Sequence, residues 1–319
     1  MATHKIDMAD MPVQAPLAPV GLAAARARFF NSGNAFNVKL PPVPAARFLD
    51  EPARALAASA TGLVACDQSA AIGVSFPATT PLMLARYAVI APGEKLTADF
   101  AATGAIWYVI RGDGEASIGA EDFSWDAGDV FLTPGGEAVA LSAGTKGAVL
   151  WVVTNEPQLA FDRLQPTVGA DAPIEAVHYP AEEIEAQLGK IVDAAQNAAT
   201  SGIALIFSSA RQEASRNIMP SLTLSLNTVP PGEHQRAHRH NSAAITLILK
   251  GERAYSMVGG ARCDWSPYAT LVTPAGEPHS HHNDDAERAM FLIVQDGGLH
   301  YHARTMGFTF LEPIVRARS

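Results

Sequence analysis

The chain repeats itself, and that constrains its fold more than any other feature. Trp107-Tyr108-Val109-Ile110-Arg111-Gly112 echoes Leu247-Ile248-Leu249-Lys250-Gly251. The stretch from Phe123-Ser124-Trp125-Asp126 to Leu132-Thr133-Pro134-Gly135-Gly136-Glu137 echoes Cys263-Asp264-Trp265-Ser266 to Val272-Thr273-Pro274-Ala275-Gly276-Glu277. The landmark pairs Trp125/Trp265, Pro134/Pro274 and Gly112/Gly251 lie 140, 140 and 139 residues apart. A steady offset across three landmarks means one fold built twice, because chance matches of short strings do not keep register. Runs such as Ala105-Ile106-Trp107-Tyr108-Val109-Ile110 and Asp129-Val130-Phe131-Leu132, in a copy that keeps its turn glycines, read as strands. At 319 residues the chain can hold two domains or one large one, with ample material for a core.

The second copy carries chemistry that the first lacks. His238 and His240 are two apart on a predicted strand, so they point to one face while Arg239 points away. Pro274 and Gly276 mark a turn into another strand that begins near His279, which brings a third imidazole beside the pair. Three histidines framed in this way predict a metal site at His238, His240 and His279. Counting from Gly93 as from Gly232, and from Pro134 as from Pro274, the first copy has Asp99, Ala101 and Val139 at these positions. It holds no metal in that manner and reads as a structural or dimerisation partner.

The spacing of Gly232, His238 and His240, followed by that of Pro274, Gly276, His279 and Asn283, resembles the paired motif of the cupins. The resemblance implies an all-β bicupin: two β-barrel domains of the double-stranded β-helix, or jelly-roll, type with a few peripheral helices. The division expected is an N-terminal arm over 1–50, a first cupin without a metal site over 51–165, a linker with a helix over 166–205, and a metal-binding cupin over 206–319. Cupins usually add a glutamate four or five residues after the second histidine, where this chain has Ala244 and Ile245. A three-histidine site, together with Ala237-His238-Arg239-His240, resembles the gentisate and salicylate 1,2-dioxygenases.

That resemblance implies an Fe(II)-dependent, extradiol-type dioxygenase opening a hydroxylated aromatic ring with O2, with Zn, Ni or Mn as other possible ions. Imidazole ligands suit several of these metals, so the ligands do not choose among them. The alternative is a metal-dependent cupin lyase or isomerase acting on a small carbonyl or carboxylate substrate without O2. Gentisate-type enzymes usually carry an arginine six residues after the second histidine and a tryptophan where this chain has Gly276; here the first of these positions is Thr246. Their metal usually sits in the first cupin. These departures make a substrate without a carboxylate, such as a hydroquinone or aminophenol, an open choice.

Two further residues are candidates for catalysis. His281 shares the face of His279 if the strand continues, and would act beside the metal as a donor or proton acceptor; the opposing reading is a solvated histidine in the polar run 280–285. Arg236, two before His238, points by parity into the same barrel, where an arginine meets either a substrate anion or an internal carboxylate. His282 is expected outside and His234 near a loop. Trp265 and Tyr268 read as packing residues, since Trp265 recurs as Trp125 in the copy without a site.

From Ala181 to Val192, Ile184, Leu188, Ile191 and Val192 line one helical face, with Glu182 and Glu183 in the first turn and Pro180 suited to the first helical position. The alanine- and proline-rich N-terminus predicts an irregular arm. A net charge of −9 without a basic run argues against nucleic acid and anionic membranes. Two cysteines, Cys66 and Cys263, make no disulfide framework. The expected setting is the cytoplasm: Pro16 and Pro19 interrupt the one N-terminal apolar stretch, and no run approaches the roughly 20 apolar residues that span a bilayer. The partners expected are a small aromatic substrate and O2, in a homodimer or homotetramer.

Overall fold

The computed structural model describes residues 5–36, 40–194 and 200–313. The chain forms two compact units, Met1–Pro42 and Val43–Ser319. In the first, a short helix spans Gly21–Ala25, Gln14 bridges Phe29, and the Asp7 carboxylate accepts from the Ala9 N–H at 2.9 Å. The larger unit therefore starts before residue 50, and the short strand Arg47–Phe48, assigned to the arm by the sequence reading, is part of it.

Within that unit the repeat becomes two two-sheet antiparallel barrels. The first has a six-stranded sheet in the order Val177–Tyr179, Val130–Pro134, Gly104–Arg111, Ala148–Thr154, Leu84–Ile90 and Gly62–Ala65. Its second sheet runs Lys95–Ala98, Val139–Ala143, Asp113–Ile118 and Glu121–Asp126. The second barrel has a six-stranded sheet of Arg47–Phe48, Thr270–Thr273, Ala244–Lys250, Ala289–Gln295, Thr223–Val229 and Ile203–Phe207. Opposite it lie Ala261–Asp264, Ala254–Val258, His279–Asn283, His234–His240 and Phe308–Phe310.

Strand alternation sorts the apolar residues into separate cores. From Leu84–Ile90 and Ala148–Thr154, Ala88, Ile90, Leu150 and Val152 enter the first barrel, where Trp107, Phe131, Val139 and Leu141 fill the interior. Ala85, Tyr87, Val89, Trp151 and Val153 face the other way and share a core with Leu224, Leu226, Ile245, Leu247, Leu292 and Val294 of the second barrel. The two six-stranded sheets thus pack on one another. Polar groups inside this shared core are paired: Trp151 Nε1 donates to Thr270 Oγ1 at 3.0 Å, Thr270 Oγ1 lies 2.7 Å from Tyr87 Oη, and Tyr87 Oη donates to the Tyr268 carbonyl.

The linker is more tightly bound into the fold than its sequence suggests. Val177–Tyr179 extends the first barrel's sheet against Val130–Leu132. The helix spans Ala181–Val192 and buries Ile184 and Leu188 in the shared core. Pro180 caps this helix from outside and does not open it; the Ala181 N–H donates to Asp129 Oδ1 at 2.7 Å, so a first-barrel carboxylate satisfies the helix start. Among the described residues no helix is long and apolar enough to cross a membrane.

The second barrel's own apolar filling is smaller. Val229, Ala244, Ile248, Ala254, Trp265, Leu271, Phe291 and Ile293 pack within it. A cavity of about 620 Å³ occupies the rest.

Candidate metal centre

His238, His240 and His279 converge on the wall of that cavity. All three are buried, with exposures of 4, 7 and 5 %. Their candidate ligand atoms lie within 4.8 Å of one another. His238 and His279 face each other as partners in the ladder between His234–His240 and His279–Asn283. The turn that delivers His279 is set by Gly276 at φ 78°, a conformation natural to glycine, whose N–H donates to the His240 carbonyl at 2.7 Å. Asn283 closes the same region structurally, its amide donating to the carbonyls of Val229, Pro230 and Glu287.

The hydrogen bonds decide which ring nitrogen faces the common point. His238 Nδ1 lies 2.8 Å from the Arg236 carbonyl, His279 Nδ1 2.9 Å from that of Glu277, and His240 Nδ1 2.9 Å from that of Ser242. A carbonyl only accepts, so each Nδ1 carries the proton and each Nε2 is left with a lone pair. Three neutral Nε2 donors on one side of a point are a donor set that a divalent ion fits, and this backbone pinning is what orients such ligands.

Burial holds the three rings neutral. It pushes His240 down to about 4 and His279 down to about 3, with the neighbouring histidines adding to the effect, and it lowers His238 in the same direction. The folded rings therefore resist protonation, while unfolded ones take up protons from about 6.5. The resulting stability is fully present above pH 6.5 and is lost progressively as pH falls through about 4 and about 3. Asp296, pushed up to about 6 by its own burial, works in the opposite sense. The expected result for metal-stripped protein is a thermal midpoint that declines through this window, with a flatter decline in a His240→Gln/His279→Gln double variant; equal slopes would contradict it.

Several predicted residues land where parity placed them, and one does not. His281 is 3 % exposed, lines the cavity, and lies 6.0 Å ring to ring from His279. His282 faces away, stacked on Tyr255 at 4.6 Å and on His234 at 5.2 Å. Arg236 is not among the cavity-lining residues; its guanidinium lies 3.5 Å over the ring of Phe310. The reason is a bulge: Gln235 pairs with His281 and His238 with His279, so three steps on one strand match two on the other. The extra residue reverses parity, and Gln235 takes the inward position. The first barrel has no such bulge. Leu96 pairs with Leu141 and Ala98 with Val139, so the register counterpart of His238 is Ala98 and not Asp99.

Three cavity residues escaped the sequence reading. Gln295 receives the Ser242 hydroxyl on Oε1 at 3.0 Å, and its Nε2 lies 3.5 Å from His240 Nε2. Its parity with Phe291 and Ile293, both interior, was the available signal. Gln235 carries a buried Oε1 with no hydrogen-bond partner among the described residues. Arg216 sits in the turn before Thr223–Val229, at φ 58°, and is the one arginine or lysine among the described cavity-lining residues. No motif flagged it, because only the fold brings that turn to the cavity. Thr246, standing where the resemblance expects an arginine, lines the cavity too and is buried.

Comparison with known proteins places these features. The family described as the cupin domain matches residues 225–295. A gentisate 1,2-dioxygenase from a Ralstonia species is 35 % identical over 82 residues, 26 % of this chain and 23 % of that protein. A 1-hydroxy-2-naphthoate 1,2-dioxygenase from Nocardioides sp. strain KP7 is 31 % identical over 94 residues, 29 % of this chain and 24 % of that one. The chain thus matches about a quarter of the length of these curated relatives. The crystal structure of a salicylate 1,2-dioxygenase from Pseudoaminobacter salicylatoxidans, in adducts with gentisate, superposes with a TM-score of 0.68 at 12 % identity, covering 86 % of this chain and 87 % of that one. At that identity the likeness is one of fold.

Proposed function

From a duplicated-barrel fold shared with a salicylate 1,2-dioxygenase and a cupin-domain match over residues 225–295, we propose that the chain is an Fe(II)-dependent dioxygenase that opens a hydroxylated aromatic ring bearing an anionic group. One observation carries the reading. Three neutral histidines, with no carboxylate ligand beside them among the described residues, form one wall of a cavity large enough for a substituted ring. The kind of relative matched, ring 1,2-dioxygenases of aromatic acids, supports the same class.

His238, His240 and His279 would hold the ion through Nε2. When bound, Fe(II) supplies open positions for a chelating substrate and a route for electrons from the ring to O2. The protein contributes the rest. Backbone carbonyls keep the three rings in one tautomer, so no reorganisation is needed as the ring binds. Ile293 and Phe308 give the cavity apolar surface for an aromatic face. Neutral ligands would leave a bound divalent ion with its full charge, which would favour phenolate and carboxylate oxygens.

Arg216 restores the anion contact that Thr246 cannot make. Substituting Arg216→Gln is expected to raise KM about tenfold for a ring acid and to leave kcat within about twofold, as loss of one charge-assisted contact at a half-open rim implies. The same variant should barely change KM for the matching ring without its carboxylate. Steady-state kinetics on such a pair checks this, and equal effects on both would remove Arg216 from recognition.

The reading is tested by anaerobic reconstitution with Fe(II), then oxygen-electrode and ultraviolet assays over gentisate, salicylates, hydroquinones, aminophenols and hydroxynaphthoates. One O2 consumed per ring absorbance lost is the expected result. A tightly held ion with no uptake on any ring would turn the assignment to metal-assisted lyase or isomerase chemistry.

A further inference from the structure

The second barrel contains a hydrogen-bond chain that the first barrel lacks. Trp265 Nε1 donates to Ser256 Oγ at 2.8 Å, and Ser256 Oγ lies 2.8 Å from Nδ1 of His281. Ser256 and His281 are partners across the Ala254–Val258 and His279–Asn283 ladder, and Ser256 pairs with Cys263 on its other side.

Direction along this chain follows from what each group can do. An indole N–H only donates, so Ser256 Oγ accepts from Trp265. Ser256 is 1 % exposed, and among the described residues its hydroxyl proton has no acceptor other than His281 Nδ1. A buried hydroxyl proton without an acceptor is strongly disfavoured. We infer that Ser256 donates to Nδ1 and thereby fixes His281 as the Nε2–H tautomer, so that His281 presents a hydrogen-bond donor to an oxygen of the molecule bound in the cavity. The three ligand rings carry their protons on Nδ1; His281 carries its own on Nε2. His281 lines the cavity, and its Nε2 makes no hydrogen bond to the described residues. In its neutral form it cannot take a proton from a substrate hydroxyl through that nitrogen, which replaces the proton-acceptor role expected from sequence.

The first barrel serves as an internal control. Ala116 pairs with Leu141 and Phe123 there, as Ser256 pairs with His281 and Cys263. Trp125 occupies the place of Trp265 and is buried, yet its Nε1 has no hydrogen-bond partner among the described residues. A tryptophan at this position therefore packs without a serine. The hydroxyl is present in the barrel that has the histidine, and absent where leucine stands in its place. Ser256 and Trp265 are positioning residues that act through His281.

The assignment of the tautomer stands on hydrogen-bond geometry alone, whereas the oxygen it meets rests on the proposed function. The test is long-range 1H–15N correlation of full-length, 15N-histidine-labelled protein stripped of metal by a chelator, with the His281 signals identified by their loss in a His281→Gln variant. Wild type should show His281 protonated on Nε2 alone. Ser256→Ala, which the first barrel shows this fold to accept as Ala116, should give mixed tautomers, and Ser256→Thr should restore the single form. In the reconstituted enzyme Ser256→Ala should lower kcat about 10- to 100-fold with metal content unchanged. A wild-type His281 protonated on Nδ1, or an Ser256→Ala protein with unaltered tautomer and kcat, overturns the inference. Absence of turnover on every ring would count against the proposed function and leave the tautomer to the spectrum.

Discussion

A His279→Ala variant is expected to emerge from chelator-buffered dialysis with metal at background while wild type keeps one ion per chain, an affinity loss of more than about 100-fold. The triad leaves little redundancy. His238 and His240 come from one strand, and two imidazoles alone are a weak chelate; His279 supplies the third Nε2 from the neighbouring strand. His281 cannot stand in. It is held by Ser256 and its ring centre lies 6.0 Å from that of His279. Elemental analysis beside oxygen uptake separates the outcomes. Loss of both metal and uptake fits the site described; metal retained at full occupancy would mean that other residues hold it. A His281→Gln control should keep the metal and lose rate, because this ring faces the cavity without being a ligand.

Trp151→Ala is expected to destabilise the chain by about 3–5 kcal/mol, the range for removing a large buried aromatic ring. Trp151 is fully buried between the two six-stranded sheets and donates to Thr270 of the other barrel. Because this core is shared, the loss should move a single unfolding transition and not split off one barrel. Urea denaturation followed by fluorescence and circular dichroism gives the shift from the midpoint and slope. Two resolved transitions in wild type would show that the barrels unfold independently and that their contact adds little. The barrel without ligands would then be dispensable for the stability of the one that has them.

The link between that core and the site runs through strand alternation. Ile245 and Leu247 face the shared core, while Ala244 and Thr246 on the same strand face the cavity. The first barrel thus supports one face of the second barrel's sheet, and the opposite face is left to shape the pocket. Its own interior shows what the second would be without a site: Ala98 and Val139 pair where His238 and His279 pair, and Trp107, Phe131 and Leu141 fill the space.

Periodicity and spacing alone determined the duplicated β architecture, the helix at 181–192 and the three histidines of the candidate metal centre. These features are local: side-chain alternation along a strand, a Pro-x-Gly turn, an apolar face at helical spacing. The same rule failed at Arg236, because a single bulge reverses the parity of every residue on one side of it and leaves no mark in the sequence. Gln235 enters the cavity for that reason, and Arg236 stacks on Phe310 from a distant strand. Arg216 reaches the cavity from a turn far along the chain, and Ser256 meets His281 only through strand pairing. Tertiary structure decided these contacts, since each joins residues whose proximity depends on register and on the path of the chain between them. A spacing of two can announce a ligand pair; which cation and which hydroxyl stand beside it is settled when the sheets assemble.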